Sequence, residues 1–330
     1  MPIVSGTRGF VAYCIINGGE GTVASASVCE DRAGADESTR RAAEWVAGDL
    51  AELTVSGPEV VADEGASLTE RDGYEHGVPC WVDTWQEDPD TAATFYAGVF
   101  GWDVEKGTPP GTDTRYYMCR LRGSDVAAIG SPAHAGMPPA WTTYVWVDDA
   151  DAVAASAVKA GGSLVAEPFG SLDGGRMAIV ADPAGAVFGV WTPGAHRGAQ
   201  RINEPSAYSM SFLRTPDPEG ATAFYGAVLG WTTEAFGPML LWRLSGYVGG
   251  VPEQPVARDV VAVLARAGDG EAAHWRADFW IADADAAAAR ATQLGGSVVA
   301  GPEDAGPFRE AVLADPAGAT FSVSQLTAGR

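Results

Sequence analysis

Aromatic and carboxylate side chains recur at intervals of two along several β-forming runs of this chain, and residues so spaced share one face of a strand. Trp81, Asp83 and Trp85 form one such set, Thr142, Tyr144 and Trp146 a second, and Val187, Gly189 and Trp191 a third. Large rings with a single carboxylate, Asp83, suit a flat, apolar or cationic ligand held by stacking and cation–π contact. His274, Arg276 and Asp278 share another strand face. There His274 and Asp278 are candidates for general acid or base, and Arg276 for holding a carboxylate or phenolate. Each set has a plainer alternative. The rings can fill a closed core or a domain interface, and Arg276 can pair with Asp278 as a structural ion pair, which is the preferred reading of those two.

Other chemistry is poorly represented. The chain has no G-x-S-x-G elbow, no P-loop and no G-x-G-x-x-G opening a helix after a strand. His76 and His134 fall in Gly/Pro-containing loops and His196 between two domains, so all three read as exposed. Cys14, Cys29, Cys80 and Cys119 make no C-x-x-C pair, a usage that fits a reducing, cytoplasmic setting. With 21 Lys+Arg against 43 Asp+Glu, the net charge of −22 repels phosphate backbones and anionic headgroups. The expected partner is therefore a small molecule, with no nucleic acid and no membrane. No apolar run approaches the ~20 residues of a membrane span, and the start, MPIVSGTRGF, lacks the basic and apolar regions of a secretory signal.

The elements that position these residues are given by a repeat. Phe95-Tyr96-Ala97-Gly98-Val99-Phe100-Gly101-Trp102 returns as Phe224-Tyr225-Gly226-Ala227-Val228-Leu229-Gly230-Trp231. Gly161-Gly162-Ser163 returns as Gly295-Gly296-Ser297, and Asp182-Pro183-Ala184-Gly185 as Asp315-Pro316-Ala317-Gly318. Asp88 before Pro89, and Asp217 before Pro218, predict an N-cap and a first helical proline. Gly101 and Gly230 predict the stops of those helices. Asp149 and Asp283 predict caps for a second, Ala-rich helix ending at the glycine pairs. The Asp-Pro-x-Gly runs predict type I turns. β-branched and aromatic runs such as 141–147 and 177–180 fill the intervals as strands.

These three blocks, in order and twice over, resemble the vicinal oxygen chelate superfamily of glyoxalase I, extradiol dioxygenases, and bleomycin and fosfomycin resistance proteins. The resemblance covers roughly 79–326. It implies an α+β fold of tandem βαβββ units forming two cupped mixed-sheet domains, 79–193 and 206–326, joined by a linker over 194–205. It also implies a ligand held inside each cup, with Trp81, Trp85, Tyr144, Trp146 and Trp191 around Asp83 in the first. The second cup would carry Tyr208, Met210, Phe212 and Arg214, then His274, Arg276, Asp278 and Trp280, then Ser322 and Ser324. Most enzymes of the superfamily hold a divalent metal through His, Glu or Gln on the cup strands. The corresponding positions here are Trp81, Thr142 and Gly189, then Met210, Arg276 and Ser322, with the remaining ones near Ala127-Ala128 and Gly249-Gly250. None is a good ligand for a hard divalent ion, and Arg276 would repel one. The expectation is no metal and no cofactor.

Residues 1–75 read as a small β-β-α-β segment, with strands over 8–17 and 22–29, a helix over 35–53 and a strand over 58–62. This resembles part of the ferredoxin-like fold of small antibiotic-biosynthesis monooxygenases. So short a core is expected to pack on the other domains or on a second subunit, which leaves a homodimer open. The functional expectation is metal-independent binding of an aromatic or cationic organic molecule, of resistance type or related to natural products. The alternative is a cofactor-free tailoring enzyme with Asp83, or His274 with Asp278, as acid or base.

Overall fold

Each helix begins as its aspartate predicts. Asp88 accepts from the backbone N–H groups of Asp90 and Thr91 at 3.2 Å and Asp217 from Gly220 at 3.0 Å. The prolines that follow open α1 (Pro89–Phe100) and α3 (Pro218–Leu229), where a missing N–H costs nothing. Gly101 and Gly230 end both helices in the left-handed region, at φ 72° and 73°. Asp149 and Asp283 cap α2 (Ala150–Lys159) and α4 (Ala284–Gln293) in the same way. The structure is a computed structural model that describes residues 10–17, 23–29, 71–107, 114–132, 136–171, 174–249 and 259–327.

The chain divides into two units, Met1–Ala66 and Ser67–Arg330. In the first, β1 (Phe10–Asn17) and β2 (Val23–Cys29) form an antiparallel ribbon. The helix expected over 35–53 and the strand over 58–62 lie outside the described residues. In the second unit, the first repeat supplies β3 (Pro79–Trp85), β4 (Asp103–Glu105), β5 (Tyr116–Leu121), β6 (Ser124–Gly130), β7 (Ala140–Trp146), β8 (Ser163–Ser171), β9 (Gly175–Ala181) and β10 (Val187–Pro193). They form one eight-stranded sheet in the order β4-β5-β6-β3-β7-β10-β9-β8. The second repeat supplies β11 (Tyr208–Thr215), β12 (Thr232–Phe236), β13 (Met239–Arg243), β14 (Val260–Arg266), β15 (His274–Trp280), β16 (Ser297–Ala305), β17 (Phe308–Ala314) and β18 (Thr320–Leu326). Its sheet repeats the order as β12-β13-β14-β11-β15-β18-β17-β16. This is the mixed-sheet α+β architecture that the repeat predicts.

The helices lie between the two sheets, α1 against α4 and α2 against α3. Each half of one repeat therefore shares its core with the opposite half of the other. One buried cluster joins α1 and β3 to β15, α4 and β18, and a second joins α2 and β10 to β11, α3 and β14. The repeated blocks meet across this interface. Asp315 spends Oδ1 on its own turn, accepting from the Ala317 and Ala319 N–H groups, while Oδ2 accepts from Tyr96 at 3.0 Å and Gln86 at 2.7 Å. Asp182 holds its turn likewise and accepts from Tyr225 at 3.2 Å. Trp141 and Trp275 each donate an indole N–H to those tyrosine hydroxyls at 2.9 Å. Trp102 donates to the Ser206 carbonyl and Trp231 to the Gly77 carbonyl, both at 2.7 Å, so each indole pins the lead-in of the other repeat's first strand.

The glycine pairs divide the work. Gly161 and Gly295 take positive φ of 95° and 90° and stop the helices. Gly162 and Gly296 instead make room for the partner repeat's phenylalanine. A Cβ on Gly162 would fall 2.7 Å from the Ala181 carbonyl oxygen and 2.9 Å from the Phe224 ring, and one on Gly296 2.5 Å from the Ala314 carbonyl oxygen and 2.7 Å from the Phe95 ring. We expect Gly162→Ala and Gly296→Ala each to destabilise the chain by about 1–3 kcal/mol through overpacking. The check is a lowered urea midpoint at unchanged m-value; an unchanged midpoint would show that the ring contact is slack.

Candidate functional site

With the helices on the inner faces, each sheet has a second face turned away from the shared core. Strand pairing sets what lines that of the first sheet. Trp81 pairs with Tyr144 and Asp83 with Thr142 across β3 and β7, while Gly189 pairs with Tyr144 and Trp191 with Trp146 across β10 and β7. The alternating residues read from sequence thus share one face. Their rings differ in what they meet. Trp81 and Trp191 pack edge-on against the His196 imidazole, with centroids at 4.4 and 5.6 Å. Trp146 lies beneath Tyr74 and the Arg197 guanidinium. Trp85 and Tyr116 remain half-buried, 5.8 Å apart. The Tyr144 ring fills the space over Gly189 and the Trp85 ring that over Gly130.

Asp83 lies at the floor of this face, 2% exposed. The Tyr116 hydroxyl donates to its Oδ2 at 3.1 Å and itself accepts from the Trp81 indole at 3.2 Å. Oδ1 and the Tyr144 hydroxyl are both buried without a hydrogen bond of regular geometry, although the Tyr144 hydroxyl and the Trp85 indole lie near enough to act on the carboxyl. Burial pushes the Asp83 carboxyl up to about 7, although Tyr144, Tyr116 and Trp85 ease its charge. Tyr116 could not be assigned a direction from sequence, because the register of its strand has no local marker. Its neighbours point elsewhere, Tyr117 and Arg115 to Asp90 and Arg120 to Asp125.

His196 is a correction to the sequence reading. Rather than standing exposed in a linker, its imidazole is half-buried against two tryptophans, with Nε2 unpartnered, and burial lowers its pKa. His76 remains at the surface beside Asp148, and His134 lies outside the described residues.

The outer face of the second sheet is built differently. Met210 pairs with Asp278, Phe212 with Arg276 and Arg214 with His274 across β11 and β15, and Ser322 and Ser324 follow on β18. Three expectations change here. A bulge between Tyr208 and Met210 turns Tyr208 into the buried core, where its hydroxyl meets Ser211 at 3.0 Å. Ser209 takes the place beside Asp278, donating to it at 2.7 Å while Ser324 donates at 2.8 Å. Both Asp278 oxygens are thereby used, and the expected Arg276–Asp278 ion pair does not form. Nor do His274 and Asp278 form a dyad: His274 sits at the strand start, near the Ala272 carbonyl and 3.8 Å from Glu271. Glu271 is held by Arg214 through two hydrogen bonds of 2.6 and 2.8 Å, which lower its pKa to about 2. Glu310, opposite Ser324 on β17, was not singled out from sequence, although alternation along 308–314 places it on this face. Burial first, and the nearby Asp278 second, raise its carboxyl to about 7.

The donor set does not fit a divalent metal in either face. Trp81 and Met210 bring no hard donor, and a carboxylate at the Gly189 position would collide with the Tyr144 ring. Among the described residues no three His, Cys, Asp or Glu side chains converge. Among the described residues, too, no helix is long and apolar enough to cross a membrane.

Comparison with known proteins agrees with this architecture. Residues 81–190 match the Glyoxalase/Bleomycin resistance protein/Dioxygenase superfamily, and residues 210–324 match a glyoxalase-like domain. The chain is 38% identical over 268 residues to a putative glyoxylase, CFP32, of Mycobacterium bovis, covering 78% of this chain and 97% of that protein. It is 36% identical over 270 residues to the anthracycline biosynthesis protein DnrV of Streptomyces peucetius, covering 78% and 96%. Among solved structures, a Mn(II)-bound glyoxalase from Novosphingobium aromaticivorans superposes with a TM-score of 0.53 at 16% identity, over 76% of this chain and 82% of that one. The 2,3-dioxygenase LapB from Pseudomonas sp. KL28 gives 0.52 at 15%, over 78% and 93%, and both likenesses are of fold. The chain belongs to the glyoxalase/bleomycin resistance/dioxygenase superfamily.

The buried carboxyl sets a pH dependence. An unfolded aspartate releases its proton near pH 4, whereas Asp83 holds it to about 7 in the fold. The folded state thus binds more protons in that window, and stability falls as pH rises through it, by up to about 1.4 kcal/mol per pH unit for this group. We expect Asp83→Asn to lose that share of the slope in urea unfolding between pH 4.5 and 8. An unaltered slope would mean that Asp83 ionises freely.

Proposed function

We propose that this superfamily member binds an aromatic or cationic small organic molecule without a metal, on the outer face of its first sheet. The observation that carries the reading is Asp83, a buried carboxyl with one oxygen lacking a regular hydrogen bond, beneath half-buried Trp85 and Tyr116. A cationic group on the ligand would seat at that oxygen while the rings stack on its body. Trp81 and Tyr144 support this arrangement from beneath. Trp146 and Trp191, engaged by Tyr74, Arg197 and His196, would act at the closed end of the cup. A similarity to anthracycline biosynthesis proteins supports a polycyclic aromatic body for the ligand. Burying ~200 Å² of such a body at ~25 cal/mol per Å² offers about 5 kcal/mol before the costs of association. Useful affinity therefore needs the polar contact as well.

A second reading rests on the same carboxyl. An acid that titrates near neutrality, hydrogen-bonded to a phenol, can pass a proton to or from a bound ligand. That chemistry is a cofactor-free tailoring step of natural-product type: proton transfer, cyclisation or rearrangement. Under this reading Asp83→Asn abolishes turnover while binding persists.

The test of the first reading is quenching of tryptophan fluorescence by proflavine, a flat cationic tricycle, beside an uncharged anthraquinone. We expect saturable quenching that survives EDTA and weakens at least tenfold for the cation in Asp83→Asn. No saturable response to either compound would overturn the proposal, and loss of binding in EDTA would overturn its metal independence.

A further inference from the structure

The outer face of the second sheet carries a guanidinium that no side chain meets directly, although Asp278, Glu271 and Glu310 act on it at longer range. Arg276 projects from the middle of β15, half-buried, with Nε inaccessible to solvent and unpartnered. The carboxylates nearest it on β11, β15 and their connections are taken by other groups, and none forms an ion pair with it. Asp278 is satisfied by Ser209 and Ser324. Glu271 is gripped by Arg214, whose own charge adds to the pressure on Arg276. Glu310 faces the site from β17 without an ion pair, and Glu303 stands beside it on β16. Across the face from these groups, Met210, Phe212 and Met239 form an apolar wall backed by Leu241 and Val263. A guanidinium with a buried, idle N–H is costly to the fold unless an acceptor arrives.

We propose that this face is a second binding site, for an organic anion: a carboxylate or acidic phenolate on an apolar body. The anionic oxygen seats on the Arg276 guanidinium, whose planar fork matches a carboxylate in two parallel hydrogen bonds. The body lies along Met210 and Phe212. Glu310 opposes the ligand when ionised and admits it when protonated, so it sets how affinity varies with pH. The His274 imidazole and the Arg214–Glu271 pair bound the site at the start of β15. The two faces thus select opposite charges, Asp83 a cation in the first and Arg276 an anion in the second.

The probe is 1-hydroxy-2-naphthoate, titrated calorimetrically into the full chain beside its uncharged methyl ester. We expect the acid to bind saturably and at least tenfold more tightly than the ester. Arg276→Gln should weaken the acid at least tenfold without changing the ester, and Arg276→Lys should fall between. Glu310→Gln should tighten the acid several-fold at pH 8 and make little difference at pH 6. Equal affinities for acid and ester, or no binding of the acid, would overturn the proposal on the unmodified protein, whatever the folding of the variants. Unchanged acid binding in a folded Arg276→Gln would overturn it too. Because the probe is an anion, this result is separate from the cation test of the first face.

Discussion

The Tyr96 hydroxyl donates a hydrogen bond to Asp315 of the other repeat while accepting one from the Trp141 indole, and Tyr225 does the same with Asp182 and Trp275. These relays are buried, so each group would carry an unmet desolvation cost if its partner were removed. They also determine geometry. An aspartate whose first oxygen is committed to a turn offers its second in one direction only, so the partner tyrosine must arrive along that line. With Phe95 over Gly296 and Phe224 over Gly162, the hydrogen bonds and the ring contacts define one docking of the two repeats.

That docking uses the helix-bearing faces of both sheets and leaves the opposite faces for chemistry. Interface and cup residues alternate along the same strands. In β15, Trp275 and Phe279 enter the shared core, while Arg276 and Asp278 turn the other way. The repeat is nearly symmetrical on the inner faces, where each residue needs its counterpart, and dissimilar on the outer ones. One outer face is aromatic around a buried carboxyl, and the other sets a guanidinium against carboxyls and an apolar wall. Duplication thereby supplied a rigid frame with two surfaces able to diverge independently.

The two faces manage charge by different means. Asp83 is kept from water by its tryptophan and tyrosine neighbours, and burial disfavours its charged form more than the Tyr144, Tyr116 and Trp85 donors favour it. Asp278 is as deeply buried but has serine hydroxyls on both oxygens. Burial raises the Asp278 carboxyl as well, even with both oxygens hydrogen-bonded, while Asp83 Oδ1 and Arg276 Nε are buried without a well-formed hydrogen bond.

Much of this was legible along the chain. The caps, helix stops, Asp-Pro-x-Gly turns and the period-two alternation of Trp81, Asp83 and Trp85 are local, set by backbone sterics and short-range hydrogen bonds, and they determined the elements and which residues share a face. Bulges are less legible: one at Tyr208–Met210 sent Tyr208 inward and brought Ser209 to Asp278, because a single extra residue reverses the alternation. Partner choice was not legible at all. Nothing near Tyr96 in sequence names Asp315, nothing near His196 names Trp81, and the spacing of Arg276 and Asp278 pointed to an ion pair that serine donors forestall. Such pairings depend on how two sheets dock and on which of several acceptors a side chain reaches first, so only the tertiary structure could decide them.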